Sequence, residues 1–221
     1  MGERSLVPYT PIPGNFDDHI AITVVTKGWS YARQHYLLDE QWETLETSDR
    51  ELAQYHGMAE RMAFLWILRL GMKWKAGAQR GVSCPIPAFL SPGDAQRSVV
   101  HPDIVDYFPW PALRQRLTLK QEVYCTDTFF LPYMQHIRFR WPDDWQTAVA
   151  WRSETLETAF TAEFTRRLND LSSWSVDSDL LSAFPELLND CTAYQPGPMP
   201  ALSCRDHVKY GLEEGEPKDV L

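Results

Sequence analysis

The stretch HPDIVDYFPWPALRQRL, from His101 to Leu117, concentrates side chains able to do chemistry. In His101-x-Asp103-x-x-Asp106 an imidazole stands close in sequence to two carboxylates. Imidazole titrates near neutrality, so a His–Asp pairing can hold and move a proton. The same donor types suit Zn, Mn or Fe(II). A metal site usually declares itself through further clusters such as HExxH, and the sequence has none, so no metal and no cofactor are expected. The competing reading is a proline-stiffened corner, in which His101 and Asp106 bond the main chain and Arg114 pairs with an aspartate. His136, in YMQHIRFRW, poses the same choice between an acid–base group and a satisfied core histidine.

Aromatic residues make up 13% of the chain, including nine tryptophans. Trp66, Trp110, Tyr133, Phe139, Trp141 and Trp145 are candidates to line a site for a small hydrophobic substrate. Ring walls bind flat or polyene ligands by shape, and ring faces stabilise developing positive charge. The alternative is a large core filled with tryptophan, whose N–H groups then need partners.

Other chemistries lack their signatures. There is no G-x-S-x-G and no telling neighbour beside Cys84, Cys125, Cys191 or Cys204, so covalent catalysis has no support. GMKWKAGAQRG is neither GxGxxG nor a Walker loop. The net charge of −9 and the absence of a dense Lys/Arg block argue against direct nucleic-acid binding. The apolar run Met62 to Leu68 is far too short to span a membrane. The opening MGERSLVPYTPIPGNF lacks an apolar targeting core, which favours a cytoplasmic protein with reduced thiols.

The elements that must position these groups are mostly helical. The hydrophobic content of 44% and charged content of 23% suit a globular core, and no Gly/Ser linker divides the 221 residues. The expected fold is mostly α: a single-domain helical bundle with long proline-rich loops. Residues 1–16 read as an extended arm, 17–195 as the helical domain, and 196–221 as a proline-rich and acidic tail. IAITVV after Asp17 suits helix, although its β-branched residues also suit a strand. Ser48 to Glu51 reads as a capping box opening a central helix through Ala59, Met62, Ala63, Trp66 and Leu70. Residues 76–100 read as a long loop, and Pro111 as the first turn of a helix. Ser153 is expected to open a helix with a Leu156, Phe160, Phe164, Leu168 stripe, supported by a Glu163–Arg167 pair. No strand is expected.

SPGDAQRSVVHPDIVDYFPWPALRQRL, followed by FRWPDDWQTAVAW, resembles a fungal family of unknown function commonly found C-terminal to bZIP segments. The resemblance rests on His101, Pro102, Asp106, Pro109, Leu113, Arg114, Trp141, Pro142 and Trp145, within residues 45–190. Asp103 departs from the bulky residue often found there, and no basic region or leucine heptad precedes residue 50. A stand-alone copy resembles members that lie among fungal secondary-metabolite genes, which implies a biosynthetic role.

Two functions follow as expectations. The first is a cofactor-independent, pericyclase-like enzyme that folds a hydrophobic natural-product intermediate for cyclisation, cycloaddition or isomerisation. His101, His136, Asp106 and Arg114 would supply hydrogen bonds or move a proton, and the six rings would form the wall. The second is a non-enzymatic, ligand-sensing or dimerising regulatory module; a homodimer fits either. An enclosed chamber with His or Asp inside marks the enzyme, whereas a solid core with an exposed apolar patch marks the module.

Overall fold

The computed structural model describes residues 16–195. The proposed arm, apart from Phe16, and the proposed tail lie outside them. The first described element is α1 (Phe16–Lys27), whose Ile20, Ala21, Ile22, Val24 and Val25 are all buried. Burial on every side overrides the β preference of IAITVV, because a helix covered all round needs apolar residues at each position. Gly28, at φ 89°, breaks the helix and begins α2 (Trp29–His35). An L side chain rarely adopts that conformation.

Asp39 caps α3 (Glu40–Leu52) by accepting the Trp42 N–H at 3.1 Å. Ser48 therefore lies inside α3 and opens nothing. The central helix α4 (Met58–Gln79) starts instead at Gly57, whose N–H is accepted by Glu60 at 3.3 Å. It runs unbroken through Gly71 and Gly77. At Gly71 a Cβ would sit 2.4 Å from the Tyr107 ring, so the missing side chain lets the following chain pack directly on the helix.

α4 packs against α1 and α3. Buried Asp49 ties the layers: it accepts Trp29 Nε1–H at 2.8 Å and both Nε–H and Nη2–H of Arg61 at 2.8 and 2.6 Å. Arg69 similarly bridges Asp17 and Asp39.

The stretch expected as one long loop holds the end of α4, a 3-10 turn at Ala88–Leu90 and α5 (Asp94–Ser98). A further 3-10 turn, Asp103–Tyr107, leads into α6 (Pro111–Leu119), with Pro111 in the first turn as expected. α7 (Gln121–Tyr124) and α8 (Asp127–His136) follow.

The protein is mostly helical, but four short strands correct the all-helix expectation. β1 (Ile137–Phe139), β2 (Val149–Arg152) and β3 (Glu157–Phe160) precede α9 (Ala162–Leu168), β4 (Trp174–Val176) and α10 (Ser178–Ala183). β1 pairs antiparallel with β4, and β2 with β3. The helix expected from Ser153 is thus a hairpin followed by α9. Phe160 and Phe164 are buried from a strand and a helix respectively, a stripe that a constant helical period misread. The Glu163–Arg167 pair does form, at 2.8 Å.

Candidate functional site

Four elements meet where the His101 segment turns: α4 supplies Lys75, α5 supplies Gln96, the 3-10 turn supplies Asp106, and α6 supplies Arg114. Asp106 accepts from Gln96 Nε2–H at 2.6 Å and pairs with Lys75 at 2.6 Å and His101 Nε2 at 2.9 Å. The other ring nitrogen of His101 bonds the Val99 carbonyl at 2.7 Å. Burial alone would raise the Asp106 carboxyl, but Lys75, His101 and Gln96 hold it below the ordinary carboxylate range. Lys75 also reaches Asp103, at 2.7 Å.

Arg114 is fully buried, and its five donors all have partners. Nε–H donates to Gln96 Oε1 at 3.0 Å, Nη1 to the carbonyls of Phe108 and Pro109, and Nη2 to those of Phe89 and Ser91. Burial lowers the guanidinium to about 10, partly offset by the charge of Asp106. The corner reading holds for His101, which bonds the main chain, and fails for its two companions. Arg114, not the carboxylate, satisfies the main chain, and Lys75 rather than Arg114 pairs with Asp106. Lys75 and Gln96 were missed, because neither carries a motif and only the packing of α4 and α5 brings them in.

His136 belongs to a separate cluster, at the end of α8. Its Nδ1 lies 3.5 Å from Asp177 Oδ2 and is buried without a hydrogen bond. Asp177 pairs with Arg138 on β1. Arg138 Nη1–H donates to Nδ1 of buried His56 at 3.1 Å, while His56 Nε2–H donates to the Met134 carbonyl at 2.6 Å. Those two bonds assign the His56 tautomer. His56, Arg138 and Asp177 escaped the sequence reading for the same reason as Lys75: they come from a loop, a strand and a helix start.

The six candidate rings do not share one wall. Tyr133 packs with Phe108 and Phe129, at centroid distances of 4.3 and 6.0 Å. Phe139 and Trp141 instead pack on Phe164, at 5.4 and 5.1 Å. Trp110 is buried and donates to Thr192 at 3.3 Å; Trp66 and Trp145 are half-buried against the core. Ring stacks fill both regions.

A concavity lies elsewhere, between α3 and α8. It is a partly open groove of about 190 Å³, lined by Thr47, Ser48, Glu51, Tyr55, Phe130, Leu131, Met134 and Gln135. None of the ten candidate catalytic and ring-wall residues lines it. Leu131 is 54% exposed on its wall. Among the described residues no three His, Cys, Asp or Glu side chains converge as metal ligands do, and no helix is long and apolar enough to cross a membrane.

These features define a mostly helical domain with a buried arginine corner and filled aromatic layers. A family profile described as "Domain of unknown function (DUF3425)" matches residues 70–195, and the chain belongs to that family. The match begins within α4 and takes in both polar clusters except His56. No curated protein and no solved structure matches the chain.

Proposed function

We propose that this domain is a non-catalytic regulatory module that binds an apolar partner surface in the groove between α3 and α8. One observation carries the reading: at the Arg114 corner, the side chains best suited to chemistry have their hydrogen-bonding groups engaged by the fold itself. Such groups hold geometry and leave nothing for a substrate. The groove, by contrast, joins apolar Phe130, Leu131 and Met134 to a rim bearing Glu51 and no cation. That combination suits an amphipathic helix with an apolar ridge and basic flanks.

The test is fluorescence anisotropy with a labelled helical peptide, leucine on one face and lysine on the other. Binding that weakens at least about tenfold in Leu131→Asp, equivalent to about 1.4 kcal/mol, supports the reading. Equal binding by both proteins removes it.

One observation favours the rival enzymatic reading, in which a hydrophobic intermediate is cyclised or isomerised. His136 keeps a ring nitrogen without a hydrogen bond beside Asp177, a pairing able to relay a proton. Conversion of a pathway extract by the protein, lost in His136→Ala, would favour it; conversion unchanged by that substitution would remove His136 from the reaction.

A further inference from the structure

The β2–β3 hairpin treats its two edges differently. Thr161 N–H donates to the Ala148 carbonyl at 2.9 Å, in line with the strand register. Antiparallel pairing alternates, so Ala150 and Arg152 turn their main-chain groups towards β3, and Trp151 turns its N–H and C=O away. On the far side of β3 the outward N–H groups are capped by α1: Thr158 N–H donates to His19 Nδ1 at 2.9 Å, and Phe160 N–H to Asp18 at 3.4 Å. Among the described residues β2 has no such cover. The Val149 N–H turns back to the Gln146 carbonyl, and the outward groups of Trp151 meet no partner among the described residues.

Exposed sheet edges are normally guarded by proline, lysine, a bulge or covering chain. The edge Val149-Ala150-Trp151-Arg152 has no proline, lysine or bulge. Trp151 is 62% exposed and Leu156, at the hairpin tip, 71%. Leu156 also holds φ 57°, a left-handed conformation usually left to glycine or asparagine. An exposed leucine under backbone strain is a cost that burial against another surface would offset.

We propose that two copies of this chain pair antiparallel through β2, with Trp151 opposite its own counterpart on the two-fold axis. That register pairs the N–H and C=O of each Trp151 reciprocally and joins two hairpins into a four-stranded sheet. It also sets the two indoles side by side on one face, since directly opposed residues share a face. The strand's one charge, Arg152, faces Ala150 of the other copy and has Glu157 beside it on β3. A second copy fits better than a free peptide. It brings its own exposed tryptophan, and an isologous contact closes on itself and leaves no further edge. This inference uses a surface other than the α3–α8 groove and stands whether or not that groove binds a helix.

Sedimentation equilibrium of the full chain, over a range from about 1 to 100 µM, tests it. The expected result is a monomer–dimer equilibrium that Trp151→Glu weakens at least about tenfold while circular dichroism stays unchanged. As a second measurement, Trp151→Cys should form a disulfide-linked dimer on mild oxidation, because opposed hydrogen-bonded residues place their Cα atoms about 5.5 Å apart. Val123→Cys, exposed on another surface, is the control. A chain monomeric throughout, or a dimer indifferent to Trp151→Glu, overturns the proposal. So does a monomer that instead takes up an extended peptide, or cross-linking no faster at residue 151 than at 123.

Discussion

The Arg114 corner and the His136 cluster are built from the same parts: a histidine beside an aspartate, with an arginine close by. At the corner each ring nitrogen of His101 has an oxygen partner, and Arg114 has five acceptors. In the other cluster Arg138 already holds Asp177, and His136 Nδ1 is left 3.5 Å away without a hydrogen bond. Residue type therefore does not separate a structural group from one free to act. Hydrogen-bond satisfaction does, because a buried donor or acceptor without a partner costs free energy that natural packing otherwise avoids.

Substitutions at the corner should then cost far more than those in the cluster. Arg114→Met should have the largest effect, about 3–5 kcal/mol in urea unfolding, since it strands four carbonyls and Gln96 in the interior. A loss below about 1 kcal/mol would erase the contrast.

Asp106→Ala should cost about 2–3 kcal/mol, by removing the partner of Lys75, His101 and Gln96. Its pH dependence provides a second check. The folded carboxyl titrates below its ordinary value, so its stabilisation is present above pH of about 4 and is lost as pH falls through the folded value. Unfolding measured from pH 7 down to pH 3 should therefore be less pH-dependent in Asp106→Ala than in the parent.

Asp18, which caps the far edge of the hairpin, carries the opposite sign. Burial raises its carboxyl to about 6, so the folded state prefers the neutral acid and loses stability as pH rises from about 4 to 6. Asp18→Asn should accordingly stabilise the protein by on the order of 2 kcal/mol at pH 8, a rise of several degrees in Tm, and by little at pH 4. The same gain at both pH values would break the argument.

The smallest effect belongs to His136→Phe, which removes an unpaired nitrogen and should change stability by less than about 1 kcal/mol. His101→Phe, losing two bonds, should cost more. If the order of the two histidines reverses, the comparison fails.

Much of the helical content was legible in local sequence. Pro111 marks its helix start, and Glu163 meets Arg167 one turn later. Where the reading failed, a local signal was outweighed by longer-range packing. The Ser48-x-x-Glu51 pattern was already inside a helix that Asp39 had capped. The Ser153 stripe kept an apolar period while the chain changed from strand to helix. Of the corner, His101, Asp106 and Arg114 stood out within one short stretch, and the structure joins them. Lys75 and Gln96 did not, having no distinctive spacing.

Composition and period alone were enough for a mostly helical protein with a large aromatic interior, because burial of apolar faces is dictated by residue order along each element. Whether those rings enclose space or fill it depends on how elements distant in sequence interlock. The same holds for which polar atoms find partners. Only the packed chain decided that Arg114 is sealed among carbonyls, that His136 is not satisfied, and that the β2 edge is left open among the described residues. Each is a sum over contacts between segments far apart in the sequence, and no local pattern encodes it.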